Sequence, residues 1–362
     1  MKILLVTSHF PPSVGGVEHY TFHLASGLQQ TYQDTVVVVT TDVHATTQIV
    51  EMYQGLKVYR LPVMFQISHT PVHLWWYFAL KKIMHKERPD AINAHQPVMG
   101  LGDVAAWAAG DIPFVLTYHA GTMKKQRFLM DVFIGMYETL VLPSTARKAT
   151  HIVCVSRFVQ KSVFRQYAAK TTIIPPGVTS ALYRPDLSKT RAERRVLFIA
   201  RHKNMYYMKG LSYLIEAIHL LNDVTLRVIG EKAEVGNAHV EFVGVKQGEA
   251  LVEEMQQASV LVLPSLAHME SFGMVLIEAM ACQTPVIGTT IGGIPEVIDD
   301  RVDGLVVPAK DARALAQAIS YMLEHPEDAR RMGEAGAAKV AARFTWESCV
   351  ERTKKVVTSC IK

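Results

Sequence analysis

Between Ser259 and Cys282 the sequence changes its period, and that change narrows the folds open to the chain. Ser259-Val-Leu-Val-Leu-Pro264 is a short apolar run rich in β-branched residues and stopped by proline, the pattern of a buried strand in a parallel sheet. Met274 to Cys282 then has the composition of a helix, with Met, Leu, Ile, Glu and Ala behind a glycine at position 273, all but the glycine favourable in a helix interior. Glu270, Ser271, Phe272 and Gly273 fall where the strand ends and the helix begins. Open α/β sheets bind ligands at such points, and the free backbone N–H groups of a helix start attract phosphate. Glu278 lies about one and a half turns further in. Carboxylates repel phosphates but suit hydroxyl groups, because an ionised carboxylate accepts hydrogen bonds and can take two from a vicinal diol. A phosphate flanked by two polyol ends describes a sugar nucleotide.

The remainder of the chain repeats the same alternation. Lys2–Ser8, Thr35–Thr40, Lys57–Leu61, Arg88–His95, Pro113–Tyr118, Ile152–Ser156 and Thr172–Pro175 read as strands, and Val17–Gln30 as a helix with Val17, Tyr20, Leu24 and Leu28 on one face. After the turn-rich stretch from Pro175 to Pro185 a second series begins. It runs through strand 195–200, helix 210–221, strands 225–230 and 240–243, a helix from Gln247, and the strand at 261–263. Strands alternating with helices imply parallel sheets. At 362 residues the chain is natural for two domains. We expect an amino-terminal domain over 1–178, completed by a crossover helix at 345–362, and a second domain over 179–344.

Composition excludes several classes. With 49% hydrophobic and 20% charged residues the chain can bury sizeable cores and is not disordered. No apolar run is long enough to span a bilayer, Phe128–Leu142 being interrupted by Asp131 and Glu138. Met-Lys-Ile-Leu-Leu-Val at the start leads into a loop without a small-residue cleavage site, so it reads as a strand and not as a secretion signal. The four cysteines, 154, 282, 349 and 360, form no Cys-x-x-Cys pair, which fits packed thiols in a reducing cytoplasm. No nucleic-acid partner is expected. Residues 1–178 hold 16 Lys and Arg against 10 Asp and Glu, a net +6, while the rest comes to −1 of the total +5. Part of that excess clusters beside aromatic residues. Trp75-Trp-Tyr-Phe78 precedes Lys81, Lys82, His85, Lys86 and Arg88, and Met123-Lys-Lys-Gln-Arg127 leads into the apolar Phe128–Leu142. Such segments, 72–88 and 123–142, suit an anionic lipid surface, although a packed helix with wet lysines explains the first equally well.

Some candidate groups have bland readings when taken alone. Gly15-Gly16, after Pro-Pro-Ser-Val, lets a backbone approach a ligand but is also an ordinary turn, and it matches neither the dinucleotide fingerprint nor a P-loop. His95 and His119 both end strands, where histidines are usually structural. Arg201 follows the strand 195–200 and Lys209 precedes Gly210 and its helix, positions that surface charges also occupy.

Glu270-x7-Glu278, set in ESFGMVLIEAMACQTPVIGTTIGGIPEVI and followed by DGLVVP, closely resembles the donor site of retaining family 4 glycosyltransferases. The resemblance implies the α/β GT-B fold, two Rossmann-like parallel-sheet domains facing across a cleft. It implies a donor that is a nucleoside-diphosphate sugar, UDP or GDP, a hydroxyl acceptor that is often lipid-linked at the inner membrane face, and no cofactor or metal. Residue by residue, it implies that Gly15 and Gly16 face the donor diphosphate and the acceptor, and that His119 lies beside the reacting sugar. Arg201 and Lys209 would clamp the diphosphate, and Glu270 would hold the sugar hydroxyls. Glu278 would hold the ribose, Val243 and Val245 would lie along the base, and Ser271, Phe272, Gly273 and Met274 would form the helix entrance at the phosphates. Three departures stand out. Ala200 replaces a common glycine, the loop HKNMYYM is long enough for Lys203 to share the clamp, and Gly230-Glu-Lys lacks a second glycine. A catalytically silent nucleotide-sugar-binding subunit, or a GT-B epimerase or phosphorylase, are the rival readings.

Overall fold

The computed structural model describes residues 1–67, 70–97, 99–121, 123, 128–186, 188, 191–233, 239–266 and 270–361. The chain divides into two compact units, Met1–Gly177 with Trp346–Lys362, and Val178–Thr345.

In the first unit the sheet strands are β1 (Lys2–Thr7), β2 (Thr35–Asp42), β3 (Ile49–Tyr53) and β4 (Leu56–Pro62), then β7 (Ala91–Gln96), β8 (Phe114–Tyr118), β9 (His151–Cys154) and β10 (Thr171–Ile173). A separate hairpin pairs β5 (Phe65–Ile67) with β6 (Thr70–Val72). The sheet order is β10-β9-β8-β7-β1-β2-β4-β3. All neighbours are parallel except the edge pair β3 and β4. Ile3 to Val6 and Val36 to Val39 are essentially inaccessible, as expected of strands covered by helices on both faces. β3 and the β5–β6 hairpin are additions to the sequence-based expectation. β3 has an exposed, irregular face because it is an antiparallel edge strand, and its half-polar sequence carries no buried-strand signal.

The helix Gly16–Tyr32 buries Tyr20, Thr21, Leu24, Ala25 and Leu28. The last helix, Trp346–Cys360, lies against it: a Cβ on Gly27 would stand 2.6 Å from Val350. Cys349 Sγ donates to the Tyr20 hydroxyl at 3.3 Å, and Arg352 donates to the Ile173 carbonyl at 2.5 Å. Although last in sequence, this helix therefore belongs to the first unit.

The second unit has six parallel strands, β11 (Arg195–Ile199), β12 (Thr225–Ile229), β13 (Val240–Phe242), β14 (Val260–Leu263), β15 (Val286–Thr289) and β16 (Leu305–Val307). Their order is β13-β12-β11-β14-β15-β16. Strand order reverses between β11 and β14, and that crevice, beyond the carboxyl ends, is where doubly wound sheets take ligands. Val196, Phe198, Leu226, Val228, Val260 and Ile287 from the sheet join Leu214, Leu315 and Ile319 from the helices in one buried core.

Candidate active site

Backbone contacts build the second unit's crevice. β14 is followed by Pro264, whose carbonyl lies 1.9 Å from where a Cβ on Gly210 would be, and Gly210 has φ +78°. Only glycine fits so close an approach with that backbone. The contact pins Lys209, the preceding residue, to the end of β14, and the N–H of Leu266 donating to the Met208 carbonyl at 2.9 Å reinforces it. On the other side, Gly292 (φ +61°) lies so close that a Cβ would meet the Glu270 carbonyl at 1.8 Å, and Gly293 N–H donates to that same carbonyl at 3.0 Å. The loop after β15 thus fixes the backbone height of Glu270.

The result is a compact charged group. Lys209 Nζ lies 3.5 Å from Glu270 Oε2, with both side chains mostly covered, and Ser265 donates its hydroxyl to the same oxygen at 3.2 Å. Glu278, in the helix Met274–Ala281, is treated differently from Glu270. Burial pushes its carboxyl up to about 7, against the opposing pull of a hydrogen bond from Tyr183 and the charge of Lys209. Sequence reasoning takes both glutamates as ionised acceptors. For Glu278 the structure adds a burial that disfavours the ionised form. Tyr183 is itself buried, and its hydroxyl is raised by burial and by Glu278.

Arg201 follows β11, and its carbonyl accepts from Glu231 N–H at 3.0 Å. This ties it to the end of β12 across a tight crossing, where a Cβ on Gly230 would lie 2.0 Å from the Ala200 carbonyl. Lys203 donates its backbone N–H to the Glu231 carboxylate at 3.1 Å, which His202 also meets at 2.9 Å. Val243 follows β13, donating to the Val228 carbonyl at 3.0 Å, and Val245 is exposed. Ser271 and Met274 are half-buried. Phe272 is buried edge-on against Phe344, ring centroids 5.4 Å apart, so its side chain is structural and only its backbone is available to a ligand. Residues 267–269 of the motif lie outside the described residues.

Gly15, Gly16, His95 and His119 belong to the first unit. Gly15 caps the helix Gly16–Tyr32, and the Glu18 carboxylate folds back over it, 2.5 Å from a would-be Cβ, whereas nothing lies within 4 Å of one on Gly16. His119 does not stand alone. Its Nε2 is 3.0 Å from His95 Nδ1, His95 Nε2 is 3.0 Å from Asn93 Oδ1, and Tyr20 lies edge-on to His119 at 4.6 Å. Burial holds His119 down to about 3 and His95 well below its ordinary value. Sequence reasoning separated a functional His119 from a structural His95; the fold joins them on adjacent strands.

It also missed Tyr183, Gly292 and Gly293. Tyr183 sits in a stretch that reads as a linker, while the two glycines stand inside the motif itself, where the Gly-Gly pair after a strand was the available signal.

Residues 14–182 match the family model described as Glycosyltransferase Family 4, and residues 182–339 match the model of Glycosyl transferases group 1. An uncharacterised glycosyltransferase of Methanocaldococcus jannaschii is 26% identical, over 98% of this chain and 97% of its own. A phosphatidyl-myo-inositol mannosyltransferase of Mycobacterium leprae is also 26% identical, over 98% and 96%. Among solved structures, the Anabaena protein HepE in complex with UDP-glucose superposes with a TM-score of 0.77 at 19% identity, over 99% of this chain and 100% of its own. With two parallel-sheet units of this topology, each matched by a glycosyltransferase model, the chain belongs to glycosyltransferase family 4 and has the GT-B fold.

Proposed function

We propose that this enzyme moves a sugar from a nucleoside-diphosphate sugar to a hydroxyl acceptor, with retention of configuration and without a metal. The observation that carries the reading is the gathering of Lys209, Glu270, Ser265 and Glu278 at the strand-order reversal of the second unit. Lys209 and Arg201 are the fixed cations for the diphosphate as the glycosidic bond breaks. Lys209 rests on Glu270, and a diphosphate, carrying more negative charge, draws it away and leaves Glu270 to the sugar hydroxyls. Glu278 takes the ribose diol through its ionised form. The leaving phosphate receives the acceptor's proton on the face from which it departs, so the protein supplies geometry and positive charge rather than a covalent nucleophile. His119 is the residue we assign to the reacting sugar, on the family resemblance alone.

UDP is the first base to test, since the Anabaena relative binds UDP-glucose. The measurement is a thermal-shift series of UDP, GDP, ADP and their sugar conjugates in EDTA. A ligand at 100 times its Kd adds about 2.7 kcal/mol to stability. A clear shift with one base series in EDTA supports the reading, and no shift with any series overturns it. Retention is read from the anomeric configuration of the product.

The acceptor reading is a lipid-linked alcohol at an anionic surface. Leu74, Trp75 and Phe78 are 72%, 62% and 62% exposed beside the exposed Lys81 and Lys82. Val132, Phe133, Met136 and Leu140 are exposed on the helical stretch after position 128. The aromatic cluster is not uniform, because Trp76 is buried and donates to the Pro62 carbonyl at 3.0 Å. Lys124, Lys125 and Arg127 of the second basic segment lie outside the described residues. Among the described residues no helix is long and apolar enough to cross a membrane, so surface association is the form to test. Co-sedimentation with anionic but not zwitterionic vesicles, lost in Trp75→Ser/Phe78→Ser, is the expected result.

A further inference from the structure

Arg201 and Lys209 bracket one loop of the second unit, and Glu231, just past the neighbouring strand β12, ties that loop down. Its backbone N–H donates to the Arg201 carbonyl at 3.0 Å. Its own carbonyl accepts from the Tyr206 hydroxyl. Its carboxylate takes the Lys203 N–H on one oxygen at 3.1 Å and meets His202 Nδ1 with the other at 2.9 Å. Positions 201, 202, 203 and 206 therefore converge on one residue. Tyr206 is buried, its ring 6.2 Å from Phe198 and 6.1 Å from Phe242. Within the loop, Tyr206 N–H donates to the Lys203 carbonyl at 3.1 Å and Lys209 N–H to the Met205 carbonyl at 2.9 Å. At the far end, the close approach of Gly210 to Pro264 and the bond from Leu266 to Met208 hold the loop beside the end of β14. The loop is thus fixed at both ends.

We propose that Glu231 is a positioning residue, whose carboxylate staples the loop 201–209 so that its two cations are set for a diphosphate before the donor arrives. The proposal rests on the diphosphate reading of Arg201 and Lys209 given above. Two departures read from the sequence meet in this contact. HKNMYYM is long for a loop between those cations, and every added residue brings backbone conformations that must be given up when a ligand is held. Glu231 removes part of that cost in advance, because a segment ordered in the free protein loses less on binding. Gly230 makes the contact reachable: a Cβ there would lie 2.0 Å from the Ala200 carbonyl and 2.5 Å from the Tyr206 hydroxyl. The Glu231 carboxylate serves the loop and not the donor.

The side chain of Glu231 is 43% exposed, so its replacement leaves the core untouched. Glu231→Ala keeps the two backbone contacts of this residue and loses the two made by the carboxylate. Glu231→Gln can keep both, its amide oxygen accepting from Lys203 N–H and its amide nitrogen facing His202 Nδ1. Amide hydrogen exchange of the unliganded protein should be about tenfold faster over 203–209 in the alanine variant, with β12 unchanged and the glutamine variant close to wild type. Equal exchange in all three proteins would overturn the proposal. Inorganic pyrophosphate, titrated in EDTA, then probes the diphosphate site without a choice of base. Its Kd should rise about tenfold in Glu231→Ala, at an unchanged melting temperature of the free protein, and return to within about threefold of wild type in Glu231→Gln. A glutamine variant as weak as the alanine one would mean that the charge itself meets the ligand, and would overturn the positioning role. If pyrophosphate fails to bind the wild type while exchange differs as expected, the diphosphate reading of Arg201 and Lys209 falls and the staple stands, so the two failures are distinguishable.

Discussion

The two units share one architecture, but the groups that burial perturbs at their candidate sites differ in sign. The first keeps histidines neutral: burial lowers His23 to about 4 and His119 to about 3, and holds His95 well below its ordinary value. In the second, burial raises the carboxyl of Glu278 to about 7. All of these are desolvation effects, yet their consequences for stability run in opposite directions. A histidine held below 6.5 contributes fully above that pH, and the contribution is lost as pH falls through the folded value, because the unfolded chain takes the proton first. A glutamate held above 4.5 contributes fully below that value, and the contribution is lost as pH rises through about 7. The lesson is that burial alone does not set a pH optimum. The sign of the buried charge decides which side of neutrality each sheet resists.

The strongest way to break this contrast is Lys209→Ala. Lys209 is paired with Glu270 and pulls on Glu278. Its removal should cut kcat/KM for the donor about 100- to 1000-fold, and the pH midpoint of nucleotide binding should move upward. Steady-state kinetics across pH would show both, and unchanged turnover would refute the site. Next in size, Glu278→Gln should cost nucleotide affinity while stabilising the protein progressively from pH 5 to pH 9, by up to about 2–3 kcal/mol. Urea unfolding at the two pH values reads this directly, and equal stability gains at both would contradict it.

The opposite limb is sharpened by His23→Phe. Its ring stacks on Trp346 at 4.8 Å and 8°, which phenylalanine can preserve. The variant should match the wild type at pH 7.5 and gain about 1–2 kcal/mol on it as pH falls from 6.5 toward 4, after discounting for partial exposure. Parallel unfolding curves at all pH values would be the contrary outcome. The smallest effect belongs to Tyr183→Phe. Losing one hydrogen bond to the Glu278 carboxylate costs about 1 kcal/mol, and the midpoint for nucleotide binding should rise by less than about one pH unit.

Much of the fold is legible because parallel strands covered on both faces are nearly all apolar, as in Lys2–Thr7 and Val260–Leu263. The half-exposed β3 and the β5–β6 hairpin obey no such pattern and escape notice. Glu270, Arg201 and Lys209 stand out because each sits near a strand end or helix entrance, and Glu278 because it completes the Glu-x7-Glu spacing. Their energetics do not. The protonation of Glu278 depends on Tyr183, distant in sequence, and the height of Glu270 depends on Gly292 and Gly293 after the next strand. The pairing of His95 with His119 requires knowing that β7 and β8 are neighbours, and strand order is not written in either strand.

The last helix carries a consequence for how the molecule is made. The second unit is one unbroken stretch of chain, 178–345, and can close as soon as it leaves the ribosome. The first unit needs Trp346, Cys349 and Val350 to cover the helix that contains Tyr20 and Gly27. Domains usually fold in the order of synthesis; here the half begun first is the half completed last. During translation its apolar helix face waits uncovered, so the burden of chaperoning falls on the amino-terminal half, and a late stop codon should harm that half and spare the other.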